Sequence, residues 1–133
     1  MSLVRFGEQN RSRWIGVRPG YEGEQVKGAG SVVNTTGTVY TVPAGKVLLL
    51  FWAALNLTVA GVGRGRFYHA SGGATVGDFL YLHVLTAVGA VHPAIITFPV
   101  PYEIPPGDTL VIASSTATLT ARGSFGGILI NNT

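Results

Sequence analysis

The sequence predicts an all-β protein: an antiparallel β-sandwich, read as an eight-stranded jelly roll, behind an extended N-terminal arm. Three observations carry that prediction. The 133 residues include 19 glycines and 7 prolines, spread through the chain. No helix-length window shows apolar residues at i, i+3, i+4 and i+7 without one of these breakers nearby. Between the breakers lie short runs rich in Val, Ile, Thr, Tyr and Phe, the residues that fit a pleated surface. Finally, YTVPAGKVLL at Tyr40 returns as YEIPPGDTLV at Tyr102, 62 positions later.

In chain order, residues 1–30 read as the arm and 31–133 as the sandwich domain. The arm has no alternation of apolar and polar positions. It mixes Arg5, Arg11, Arg13 and Arg18 with Phe6, Trp14 and Tyr21. A solvated tail is poor in aromatic residues, so these seven are candidate contacts with another protein or a neighbouring subunit. Gly28-Ala29-Gly30 reads as a hinge between arm and body.

The body reads as eight strands: SVVNT, TVYTV, VLLLFWAALNLTV, GRFYHA, DFLYLHVLTA, AIITFPV, TLVIASSTA and LTARGSFGGILI. In the third, strict alternation puts Val47, Leu49, Phe51, Ala53, Leu55 and Leu57 on one face and Leu48, Leu50, Trp52, Ala54, Asn56 and Thr58 on the other. The second face begins apolar, so both sides of that strand are expected to be covered at its start. In the fifth strand, Leu80, Leu82 and Val84 make a better core face than Phe79, Tyr81 and His83.

The repeated phrase is a strand, a forced corner and a new strand. Pro43 and Pro105 lack an N–H and cannot continue a ladder. Pro43 suits position i+1 and Gly45 position i+3 of a type I turn. At the second corner, Pro106 followed by Gly107 equally suits a type II turn with glycine at positive φ. Two corners, each opening about half the strands, point to two Greek-key halves and so to a jelly roll.

Chemistry is sparse. There is no cysteine, hence no disulfide framework and no thiolate nucleophile or ligand. His69, His83 and His92 lack metal-ligand spacing, and His83 reads as a structural histidine. Glu103 and Asp108 flank the second corner, where Asp108 suits turn chemistry rather than a paired-carboxylate cleft. GVGRGR, from Gly61 to Arg66, leads into a strand, so no helix terminus is there to cradle phosphate. No catalytic residue, metal or cofactor is expected.

Charge sets the company the protein keeps. Charged residues are 11% of the chain, against about 25% for a typical soluble domain. Eight of the fifteen fall in residues 1–30, and Asp78 is the sole charge from Ser71 to Val100. A surface this poor in charge tends to associate, so much of the body is expected to be covered by other protein. The formal charge of +3 is too small for a strong phosphate footprint, which argues against nucleic acid. The longest apolar stretch, from Val47, is too short for a helical membrane span. The start of the chain lacks the apolar run of a secretory signal.

The two phrases, YTVPAGKVLLL and YEIPPGDTLVIAS, together with the arm-plus-sandwich layout, resemble small β-sandwich structural proteins of tailed bacteriophages. That class includes capsid decoration (cement) proteins and tail or fibre components. The resemblance implies a non-enzymatic virion protein made in the host cytoplasm. It also implies a homo-oligomer, commonly a trimer, whose arms reach the major capsid protein or another virion protein. Decoration of the capsid is the first expectation. The alternative is a tail or fibre module that binds carbohydrate, with Tyr68, Tyr81 or Trp52 as a stacking platform.

Overall fold

The computed structural model describes residues 23–59, 62–84 and 90–132. The expected arm contacts Arg5, Phe6, Arg11, Arg13, Trp14, Arg18 and Tyr21 lie outside these residues. Eight strands follow in order: β1 (Glu24–Val33), β2 (Thr36–Thr41), β3 (Lys46–Val59), β4 (Gly63–Ser71), β5 (Ala74–Val84), β6 (Ala90–Ile104), β7 (Thr109–Ser114) and β8 (Leu119–Asn131). They form two four-stranded antiparallel sheets, β1-β8-β3-β6 and β2-β7-β4-β5. We call them the front and back sheets. This is the jelly-roll order.

The order explains the repeated phrase. Advancing every strand number by four, cyclically, turns the front sheet into the back sheet and the back into the front. The β2–β3 and β6–β7 corners are therefore equivalent places in the fold, and the phrase marks both. Matching positions carry matching work. Val42 and Ile104, Leu48 and Leu110, and Leu50 and Ile112 are all buried.

The corners also touch. The Val42 N–H donates to the Asp108 carbonyl and the Gly107 N–H donates to the Val42 carbonyl, both at 2.9 Å. Each corner is closed from i+3 to i, by Lys46 N–H to the Pro43 carbonyl and by Asp108 N–H to the Pro105 carbonyl. Gly45 and Gly107 then occupy i+2 with φ of 78° and 84°, the type II signature. Pro43 thus stands at i rather than i+1. Pro106 fills the i+1 place of the second turn, where its fixed φ is favourable.

The expected boundary at residue 30 shifts. Residues 24–30 belong to β1, which pairs along its length with β8 from Glu24↔Leu129 to Val33↔Thr120. Gly28-Ala29-Gly30 is strand and not hinge. A Cβ on Gly28 would lie 2.7 Å from the Phe125 ring, so glycine there makes room for a buried aromatic.

Strict alternation in β3 also fails, at one point. The register slips between Leu50 and Trp52 against both neighbours. Phe51 is the extra residue of a bulge, and a bulge exchanges the faces of the strand beyond it. Leu48 and Leu50 point inward before it; Ala53, Leu55 and Leu57 point inward after it, all 0% exposed. Opposite the bulge, β6 skips from Thr97 to Tyr102. Pro99 and Pro101 sit in that gap, on an edge strand, where a missing N–H costs no ladder bond.

The core lies between the sheets. Phe67, Leu110, Ile112, Leu119, Ala121 and Phe125 join the β3 residues there. A second bulge lies on β5, where Phe79 is the extra residue opposite the Phe67–Tyr68 step of β4, and it lets β5 turn both Phe79 and Leu80 toward the core. Phe79 meets Phe67, Phe98 and Tyr102 edge-on at centroid distances of 5.9, 5.8 and 5.1 Å, a favoured geometry for ring pairs. The companion residue His83 is exposed, so its expected role as a structural histidine passes to another.

Candidate functional site

That other is His69. It is 3% exposed, on β4 and facing the sandwich interior. Its ring nitrogens meet the Tyr102 hydroxyl at 3.0 Å and an Asp108 carboxylate oxygen at 2.7 Å. The trio joins a back-sheet strand, a front-sheet strand and the β6–β7 corner. Burial pushes the Asp108 carboxyl up. Hydrogen bonds from His69 and Ser71, with the electrostatic pull of His69, outweigh it and hold the group below the usual carboxylate value. Asp108 therefore does more than form a turn: it anchors the corner to β4. Both ring nitrogens of His69 are engaged with protein. No group of three or more metal-ligating side chains occurs among the described residues. The trio clasps the two sheets together at the β6–β7 corner.

The two outer faces differ in chemistry. On the front sheet, registry aligns four rows that point away from the core: Gln25–Ile128–Leu49–Glu103, Lys27–Gly126–Trp52–Thr97, Ala29–Ser124–Ala54–Ile95 and Ser31–Arg122–Asn56–Pro93. Lys27 and Glu103 lie on the two edge strands, and Arg122 is the only other charge in these rows. Ile95 is 66% exposed in a row made otherwise of Ala and Ser. Trp52 lies across β8, because a Cβ on Gly126 would fall 2.3 Å from its indole nitrogen. The result is a surface of small and apolar side chains, indented by a depression of about 280 Å³ lined by Gln25, Lys27, Phe51, Trp52 and Ile128. Leu49 and Ile128, in the outermost row, are only 4% and 3% exposed. The expectation that β3 is covered on both sides at its start therefore holds.

On the back sheet, Arg64, Arg66 and Tyr68 of β4 point outward beside Asp78 and Tyr81 of β5. Arg66 donates twice to one Asp78 oxygen, at 3.0 and 2.8 Å. Its guanidinium lies over the Tyr68 ring at 4.2 Å and faces Tyr81 at 5.5 Å. Arg64 donates to the Tyr81 hydroxyl at 3.3 Å. A shallow depression of about 280 Å³ is lined by Arg64, Arg66, Tyr81, Ala113, Ser114 and Ser115.

Of the aromatic residues expected to form a platform, Tyr68 and Tyr81 share this face. Trp52 is on the opposite side of the sandwich. Pro43, Gly45, Pro105, Pro106 and Gly107 stand at the two corners, as expected. The clasp was missed in the sequence because His69 and Asp108 are 39 positions apart with no recognisable spacing. Ser71 and the P-G-D corner carried no signal that a carboxylate there would find a histidine.

No family model matches the chain, and no curated protein matches it. Among solved structures, one reported under "Bacillus endospore appendages form a novel family of disulfide-linked pili" is 18% identical. That match covers 94% of this chain and 100% of the other, with a TM-score of 0.38. The capsular polysaccharide assembling protein CapF from Staphylococcus aureus is 16% identical over 84% of this chain and 24% of its own, with a TM-score of 0.29.

Proposed function

We propose that this protein is a non-enzymatic structural subunit of a virion: a capsid decoration protein that self-associates, as a trimer, and stabilises the lattice it coats. The observation that carries the reading is the front-sheet outer face. Nearly uncharged surfaces that carry an exposed isoleucine, as this one does on its edge strand β6, are covered in working assemblies rather than left to water. A jelly roll clasped at His69 supplies the stiffness such a role needs. The N-terminal residues Arg5, Phe6, Arg11, Arg13, Trp14, Arg18 and Tyr21 supply anchors to the major capsid protein, since aromatic and Arg side chains dominate interface energies. Many equivalent contacts across a lattice then add through multivalency.

The test follows the tagged full-length chain into particles purified from cells that produce the virion. The wild-type chain should band with the particles. A form lacking residues 1–22, cut short of β1 so that the sandwich keeps all eight strands, should remain in the soluble fraction. Ile95→Asp should do the same. Wild-type protein absent from the particles would defeat the reading, as would unchanged incorporation of both variants.

A further inference from the structure

We propose that the depression on the back sheet is a binding site for a carboxylated saccharide: a pyranose ring bearing an acid group. The argument starts with Arg64. Its guanidinium is exposed, touches the Tyr81 hydroxyl, and has no carboxylate partner among the described residues. Arg66, two residues along the same face, is neutralised by Asp78. The cluster therefore holds one committed cation and one uncommitted one. A planar guanidinium with free N–H groups is suited to bidentate capture of a carboxylate.

Its surroundings suit a sugar ring. Tyr81 is 48% exposed and held in place from both sides, by Arg64 at its hydroxyl and by Arg66 at its ring face. An aromatic ring fixed on a strand offers a flat apolar surface to the C–H face of a pyranose. Ser115 accepts the Arg64 backbone N–H at 2.8 Å, which leaves its hydroxyl hydrogen free to donate to a ligand oxygen. The depression is near the lower size limit of small-ligand sites, about 300 Å³.

Other anionic partners fit less well. An extended acidic peptide would need an open sheet edge or a row of apolar pockets. The depression lies over β4, which is paired with β7 on one side and β5 on the other. A nucleic acid would need more cations than one uncommitted arginine. The front-sheet face plays no part here, so this inference stands whether or not the assembly reading does.

The test is an NMR titration of the full-length chain with four probes. These are a galacturonic acid trimer, sialyllactose, a neutral galactose trimer and hexaglutamate. At least one of the two acidic sugars should shift the Arg64, Tyr81 and Ser115 resonances. It should bind at least about tenfold more tightly than the neutral trimer and hexaglutamate, the usual scale of one charge-assisted contact. Arg64→Gln should weaken that binding about tenfold or more, and Tyr81→Ala similarly. Tyr81→Phe, which keeps the ring, should cost less than Tyr81→Ala. Each variant's unperturbed spectrum outside the site confirms folding. The proposal is overturned if neither acidic sugar binds or if the neutral trimer or hexaglutamate binds equally well. An Arg64→Gln chain that binds like the wild type also overturns it.

Discussion

Gly28→Ala separates a strand from a hinge by the sign of its effect. In a hinge, alanine stabilises, because it removes freedom from the unfolded chain worth about 0.4–1 kcal/mol. In β1, the new methyl would sit 2.7 Å from Cε1 and 3.3 Å from Cζ of Phe125, where relaxed carbon contacts lie at about 3.5–4.0 Å. Phe125 cannot simply move aside. It is 0% exposed and packs against Tyr40 with ring centroids 5.3 Å apart. Overpacking of this kind costs about 1–3 kcal/mol, which exceeds the entropic gain.

We expect Gly28→Ala to be destabilised by about 1–2 kcal/mol once the two effects are set against each other. Gly30→Ala is the internal control. Its methyl would meet Val39 and Ile112 at 3.6 and 3.9 Å, ordinary contact distances, so it should be neutral or stabilised by about 0.4–1 kcal/mol. Urea denaturation followed by fluorescence reads both. If both alanines stabilise alike, the segment is not packed on Phe125, and the placement of β1 is wrong.

Two further expectations concern the second corner. Asp108→Asn should destabilise at neutral pH by about 1–3 kcal/mol, the scale of a hydrogen bond to a charged group. Because the folded carboxyl lies below its unfolded value of about 3.9, the wild type's advantage is fully present above that pH. The advantage should vanish as pH falls through the folded value; urea midpoints at pH 7 and pH 3 that differ by the same amount would contradict it. Gly107→Ala meets nothing within 4 Å, so its cost is backbone strain at φ 84° alone, about 1–2 kcal/mol. A thermal melt of that variant matching the wild type would remove the type II turn from the account.

The strands were legible because breakers are frequent and β-formers fill the gaps; all eight stretches read from the sequence became strands. The jelly roll was legible through Pro43-x-Gly45 and Pro105-x-Gly107, whose repetition reflects the equivalence of the two sheets. What the sequence hid was discrete shifts of one residue. Nothing marks Phe51 as a bulge, yet it decides that Leu55 and not Ala54 is core. Gly28 looked like a joint because a glycine chosen for a ring's clearance reads the same as one chosen for flexibility. The pairing of His69 with Asp108, and of Arg66 with Asp78, depends on registry between strands. Composition correctly flagged a charge-poor body, but only the register showed that its blandest rows lie together on one face.

The most direct test of the central claim is the native mass of the purified full-length chain, measured by sedimentation equilibrium across a hundredfold range of concentration, alongside Ile95→Asp. If the front-sheet face is made to be covered, the wild type should sediment as a trimer and the variant should fall apart to monomer while keeping its β-sheet circular dichroism. A wild-type chain that remains monomeric at the highest concentration would contradict the account.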